Sequence, residues 1–374
     1  MSLKEDILNS ILIQSTENEY ISFSNSDDKF WIMPKKNIRT ALSLYQPSSA
    51  KGNLFKKFLP YFYNSKIIQK LFNINNNNYA LEVKLLNLLK SVLNIQNIEF
   101  SIFSGTPSVH QKITIQISSG RQILGYCKVT DKEEIKTIFR HEQQILCELN
   151  RTGVKQIPKC LYCGPLKEDI YLFVQNTVKT NSSQILHLWK KYHWDFLTHL
   201  HTQTSQTISF EETDFYKSIK LLDQNKNLLP VRQKEIITNA LTCIIQKYDG
   251  KQVCFSSYHS DFTPWNMIVE NDKLFVFDFE YAKRTYPPFL DRFHFFTQVG
   301  IYKKKWSEHK IFFEYKLKIR GDGDYIKDPD MDYLCYLVDV VSFYINRHKG
   351  DYNKDAETSL SIWLSLISLL SADE

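Results

Sequence analysis

The stretch from Tyr258 to Glu280, YHSDFTPWNMIVENDKLFVFDFE, holds one histidine, His259, and near its ends three carboxylates, Asp261, Asp278 and Glu280, with Asn266 between them. They sit inside and beside strongly apolar, strand-like segments. A buried carboxylate is costly unless it is paired, hydrogen-bonded or bound to metal, so the stretch calls for a cation or a reaction. Asn266 follows Asp261 by five positions, and Asp278 follows Asn266 by twelve. Between them, NMIVE and KLFVFD read as two strands around the turn Asn271-Asp272. That fold-back can set Asn266 and Asp278 side by side. An amide oxygen next to a carboxylate is the hard, all-oxygen environment that Mg²⁺ prefers. Asp261, one loop earlier, is then available to a substrate hydroxyl. Phosphoryl transfer from ATP divides its labour in this way: a metal neutralises the phosphates, and a separate carboxylate orients the attacking oxygen and accepts its proton.

Such a site also needs a cation on the phosphates. Lys128, in the strand-like GYCKV, offers one, and the following helical pattern offers Glu142 to hold it, with Glu134 and Glu148 as neighbouring acids. A tight turn should close over the phosphates. FSGTPSVHQKI, with Ser104 and Gly105 between two strands, stands where that turn belongs, and its backbone N–H groups could bind phosphate oxygens.

The elements that must position these residues follow from periodicity. IEFSIFS, KITIQIS and QILGYCKV alternate as three antiparallel strands, with Ile113, Ile115 and Ile117 on one face. Ile135, Ile138, Phe139, Ile145, Leu146 and Leu149 recur at helical spacing and predict a helix over residues 133–150. KCLYCG and IYLFVQ add two strands, so five strands and one helix account for residues 98–176. After Gln175 helices dominate, including ILHLWKKYHWDFLTHLHTQ and VRQKEIITNALTCIIQKYDG, the latter ending near Gly250. Upstream, EYISFS and KFWIMP read as short strands around NSDD. Asn75–Asn78 read as a solvated loop between two helices. The acid-rich GDGDYIKDPDMDY reads as a helix start, with Asp328 as N-cap and Pro329 in the first turn; a wall of acids facing an amine-bearing substrate is the competing reading. Tyr333, Tyr336 and Trp306 read as core. The class is α+β, a β-rich part followed by an α-rich one.

HSDFTPWN followed by VFDFEYA resembles the H-x-D-x-x-x-x-N and D-F-E signatures of aminoglycoside phosphotransferases and choline kinases, which share the protein-kinase-like fold. The likeness covers about residues 98–350, including LTHLH ahead of the catalytic loop. It implies a bilobal architecture: an N-terminal extension over 1–97, a β-rich nucleotide-binding lobe over 98–178 and an α-rich catalytic and substrate lobe over 179–374. By the resemblance Asp261 is the catalytic base, Asn266 and Asp278 hold Mg²⁺, Lys128 and Glu142 form the phosphate-binding ion pair, and residues near Gln175–Val178 meet the base of ATP. His259 and Asp291 brace the loop. Glu280 is either a second metal contact or a partner of Arg284. The sequence departs from the pattern at Ser260, where the family often has glycine and regulated protein kinases have arginine. Only thirteen positions separate Asp278 from Asp291, and no long activation segment ending in Ala-Pro-Glu appears. Both departures favour a small-molecule acceptor over a protein. A kinase-like chain that has lost activity and serves as a binding module is the alternative.

Composition fits this class. The 374 residues are 43% hydrophobic and 24% charged, ordinary for a globular protein with a sizeable core. A net charge of +6 is small for such a length, and the run Lys303–Lys305 reads as a solvated face rather than a nucleic-acid patch. Seven scattered cysteines form no short framework and suggest reduced thiols. Cys160 and Cys163 lack the second pair that a zinc ribbon needs. The first residues do not read as a secretory signal, and SLSIWLSLISLL is too short and serine-rich to span a bilayer. The expectation is a cytoplasmic protein.

Overall fold

The computed structural model describes residues 3–47, 49–105 and 111–372, and the chain divides into two compact units. The first takes in Met1–Asn150, Gln156–Gln184 and Val269–Phe275; the second takes in Arg151–Lys155, Ile185–Ile268 and Val276–Glu374.

The first unit is built on one sheet of eight strands: β1 (Leu12–Ser24), β2 (Phe30–Pro34), β3 (Asn75–Leu81), β4 (Glu99–Ser104), β5 (Ile113–Ser119), β6 (Gln122–Thr130), β7 (Cys160–Pro165) and β8 (Tyr171–Asn176). Their order is β3-β1-β2-β4-β5-β6-β8-β7. The expected five strands and single helix, Glu133–Arg151, are present, and three strands from the first 97 residues extend the same sheet. The isoleucines of β5 are fully buried on one face, as their alternation requires. Its opposite face is buried too, because the segment Ile38–Leu44 covers it. There the Gln116 amide donates to the Thr40 carbonyl (3.0 Å) and accepts from the Ser43 hydroxyl (2.6 Å). Lys179 donates to the Ser43 carbonyl at 2.9 Å; burial first, and then the charge of Lys56, hold its ammonium down to about 8.

One expectation fails here. Asn75–Asn78 form the start of β3 rather than a loop. Asn75–Asn78 pair with Ser22–Glu19 of β1 across the sheet edge, and Asn77 donates to the Ser22 hydroxyl at 2.8 Å. A polar edge strand of this kind resists pairing with other chains.

The second unit is mainly helical. Helices Lys191–Thr204, Asp214–Asn225, Val231–Tyr248, Leu290–Gln298, Glu308–Lys318, Pro329–His348 and Lys354–Ala372 surround a core containing Tyr333, Tyr336 and Trp363. Trp306 packs against that core, half-buried. Asp328 caps Pro329–His348, accepting from the Met331 N–H. Three of the acids are paired locally: Asp322 with Arg292, Asp328 with Lys247 and Asp330 with Arg320. This favours the helix-start reading over an acidic wall. Residues 185–190 are not helical, contrary to their periodicity. The His193 ring accepts the Lys190 N–H at 3.0 Å and starts the helix at Lys191. Strands β9 (Gln206–Ser209), β10 (Gln252–Tyr258) and β13 (Lys283–Tyr286) form a small sheet in the order β13-β10-β9. The hairpin of β11 (Met267–Glu270) and β12 (Lys273–Val276), whose residues Val269–Phe275 count with the first unit, turns at Asn271 and Asp272, both at positive φ, as a two-residue turn demands. All seven cysteines are free thiols. Among the described residues no helix is long and apolar enough to cross a membrane.

Gly125 marks the tightest approach in the first sheet. A Cβ there would meet the Gln175 carbonyl oxygen at 2.3 Å, in the β6–β8 pairing three residues ahead of Lys128 on the same strand. Gly125→Ala should therefore cost about 1–3 kcal/mol through forced backbone movement. Urea unfolding measures it; an unchanged midpoint would mean that the strands give way freely.

Candidate active site

In the first unit, Lys128 projects from β6 and its Nζ donates to Oε2 of Glu142 at 2.6 Å. Both side chains are buried, at 7% and 0% exposure. The ammonium also lies 5.3 Å from the centre of the Phe173 ring on the adjoining strand β8. A buried ion pair is weak grounds for stability, because desolvation offsets the attraction; it does hold a cation in one place. Gln175, also on β8, is buried, and among the described residues its Oε1 has no hydrogen-bond partner. Val178 is exposed on the outgoing chain. Ser104 ends β4 with its side chain buried, and its hydroxyl accepts from Gln111 at 2.9 Å. The Gly105 carbonyl accepts from the same amide. The expected phosphate turn lies mostly in 106–110, outside the described residues.

In the second unit, the loop after β10 is fixed by Asp291. Its carboxylate accepts two successive backbone N–H groups, His259 at 2.9 Å and Ser260 at 3.1 Å. Ser260 takes a left-handed conformation, φ 69°, which a residue other than glycine adopts at a cost. Burial pushes the Asp291 carboxyl up to about 7, against the pull of the two donors.

His259 is fully buried and spans two segments. Its Nδ1 accepts the Asp261 N–H at 3.2 Å, and its Nε2 lies 3.1 Å from the Phe277 carbonyl. Only the neutral ring with its proton on Nε2 makes both bonds. Burial pushes the imidazolium pKa down to about 4, against the opposing charge of Asp261. The Phe279 ring packs against His259, 4.4 Å between centres. Asp278, between these two phenylalanines, is half-buried and left-handed at φ 69°. A Glu280 carboxylate oxygen lies within 4.8 Å of one from Asp278.

Asn266 closes the loop. Its amide nitrogen donates to the Asp261 carbonyl at 3.0 Å and to Oδ2 of Asp261 at 2.7 Å. Its backbone carbonyl accepts the Phe277 N–H at 3.0 Å, which ties the residue to the chain entering Asp278. With both amide hydrogens used, Oδ1 has no protein donor among the described residues. Asn266 Oδ1 and the Asp278 and Glu280 carboxylates are hard oxygen donors, and this set fits a divalent cation of the Mg²⁺ type.

The other Asp261 oxygen, Oδ1, lies 3.3 Å from Nε2 of His294. Sequence reasoning missed this contact. The signal was a histidine three positions after Asp291, on the same face of helix Leu290–Gln298. Nδ1 of His294 is buried without a partner among the described residues. The Asp261 side chain keeps about a third of its surface exposed, 34%, on a cavity that Trp265, Tyr281 and His294 also line.

Comparison with known proteins bears on the fold. No family model and no curated protein matches the chain. Among solved structures, a thermostable mutant of aminoglycoside phosphotransferase APH(4)-Ia, in ternary complex with AMP-PNP and hygromycin B, aligns with 78% of this chain and 100% of its own. The TM-score is 0.52 and the identity 10%. The apo form of a thermostable mutant aligns over 77% and 99%, with a TM-score of 0.50 and 11% identity. The chain thus has the protein-kinase-like fold of the aminoglycoside phosphotransferases, with a β-rich part followed by a helical one, as its two motifs suggest.

The loop contacts carry a pH signature. Folding lowers the His259 pKa from 6.5 to about 4, so its contribution to stability is lost as pH falls from 6.5 through about 4. Folding raises the Asp291 pKa from 3.8 to about 7, so its contribution is full below 3.8 and lost as pH rises through about 7. The slopes oppose one another in their shared window. In His259→Gln only the Asp291 slope remains, so stability should fall more steeply than in the wild type between about pH 4.5 and about pH 7. Urea midpoints across that range test this; parallel profiles would contradict it.

Proposed function

We propose that the protein is an ATP- and Mg²⁺-dependent phosphotransferase that moves the γ-phosphoryl group to a hydroxyl of a small molecule. The observation that carries the reading is Asp261. It is held by Asn266 and His294, is backed by a loop fixed on Asp291, and is still partly open to a cavity. In this reading Asp261 accepts a hydrogen bond from the acceptor hydroxyl and aims its oxygen at the γ-phosphorus. As the new oxygen–phosphorus bond forms and the bond to the β-phosphate oxygen breaks, the hydroxyl proton passes to the Asp261 carboxylate and ADP leaves. Asn266 and Asp278 would hold Mg²⁺, with Glu280 beside Asp278; when bound, the ion neutralises phosphate charge. Lys128, fixed by Glu142, supplies positive charge to the phosphates. The hinge beyond Gln175 would meet the base of the nucleotide. The short span from Asp278 to Asp291 supports a small acceptor over a protein one.

An acceptor screen with ADP release as readout tests the assignment. Turnover should depend on acceptor and on Mg²⁺. Asp261→Ala should lower kcat by about 10²–10⁴ while nucleotide affinity changes little. Retained turnover in this variant would remove Asp261 from the reaction, and ATP binding without turnover of any acceptor would favour an inactive, kinase-like binding protein.

A further inference from the structure

The cavity that Asp261 faces belongs wholly to the second unit and measures about 200 Å³. That is below the roughly 300–1,000 Å³ of sites for drug-sized ligands, so its occupant is small, on the scale of a monosaccharide. Aromatic rings form much of its wall, among them Trp265, Tyr281, Tyr302 and Phe343.

The formally charged lining groups are Asp261, Asp339 and Arg347. Asp339 is already satisfied: it accepts from Lys283 at 2.7 and 2.8 Å, from Ser218 at 2.9 Å and from Tyr286 at 3.0 Å. The Asp261 oxygens face Asn266, His294 and the reacting hydroxyl. The cavity therefore has no carboxylate to spare for an ammonium group. Arg347 is in the opposite position. Its Nη1 donates to the Tyr281 hydroxyl at 3.3 Å, and its guanidinium carbon lies 5.6 Å from the ring centres of both Tyr281 and Phe343. Among the described residues no carboxylate pairs with it. Those rings orient the planar fork, and a fork with free N–H groups matches a carboxylate or a phosphate.

We propose that the acceptor is a monosaccharide-sized hydroxyl compound bearing an anionic group, carboxylate or phosphate, which Arg347 reads at the exposed rim while the hydroxyl meets Asp261. This rests on the phosphotransferase reading. It sets this cavity apart from one built for polycationic acceptors, which would need unpaired carboxylates in its wall.

The test uses compounds matched except in charge: glucose, glucosamine, glucuronate and glucose 6-phosphate, the corresponding galactose series, and glycerol with glycerol 3-phosphate. Each is assayed for acceptor-dependent ADP release and, separately, for equilibrium binding by calorimetry. At least one acidic member should bind or react with a Kd or KM about tenfold or more below that of its neutral partner. Arg347→Gln should collapse that ratio to about one, and Arg347→Lys should restore part of it, all with unchanged thermal midpoints. A preference for the amino compounds, an acid-to-neutral ratio that survives Arg347→Gln, or no saturable binding of any acidic member would overturn the proposal. The binding arm needs no turnover. Anion preference without ADP release would therefore count against the phosphotransferase reading alone, and ADP release with a neutral or amino preference against the acceptor class alone.

Discussion

The Asp291 carboxylate, accepting the N–H groups of His259 and Ser260 at once, is the interaction on which the loop leading into Asp261 depends. It bends the chain through a left-handed serine directly ahead of Asp261. It also ties the loop to helix Leu290–Gln298, which brings His294 to the Asp261 carboxylate. His259 extends the constraint by joining the Asp261 backbone to Phe277, and so to the approach of Asp278. Asn266 fastens the loop to itself through Asp261 and to the segment entering Asp278 through Phe277. Buried polar networks rigidify a site when their members are satisfied, and here one network sets three side chains of the proposed site that the hairpin alone would leave loosely related.

The first unit solves a different problem, how to keep a cation buried and still in one place. Lys128 is clamped by a helical glutamate and backed by an aromatic ring. Its strand lies deep within a sheet whose second face is closed by the Thr40–Ser43 segment through Gln116. Residues of the first hundred thus serve as the cover of the sheet and as three of its strands.

Much of this was legible in the sequence where local pattern and local pairing coincide. The isoleucine alternation of β5, the Asn271-Asp272 turn and the Asp328-Pro329 helix start each rest on contacts between near neighbours, and each is found. The two motifs were legible because their spacing is set by a single hairpin. What was not legible depends on distant partners. The asparagines of β3 become a strand only because β1 lies alongside, more than fifty residues away in the chain. The residues 185–190 carry helical periodicity, yet a histidine cap starts the helix later. His294 and Arg347 are single polar residues with no motif around them, and only the fold brings them to the cavity of Asp261.

Neutral His259 and a carboxylate aimed into a small cavity are the observations behind the proposed nucleotide- and metal-dependent reaction. Calorimetric titration of the wild-type protein with AMP-PNP, with and without Mg²⁺, tests that most directly. The account predicts saturable binding at one site per chain, tightened by Mg²⁺. Absence of binding heat under both conditions, at concentrations where the folded state is verified, would contradict it.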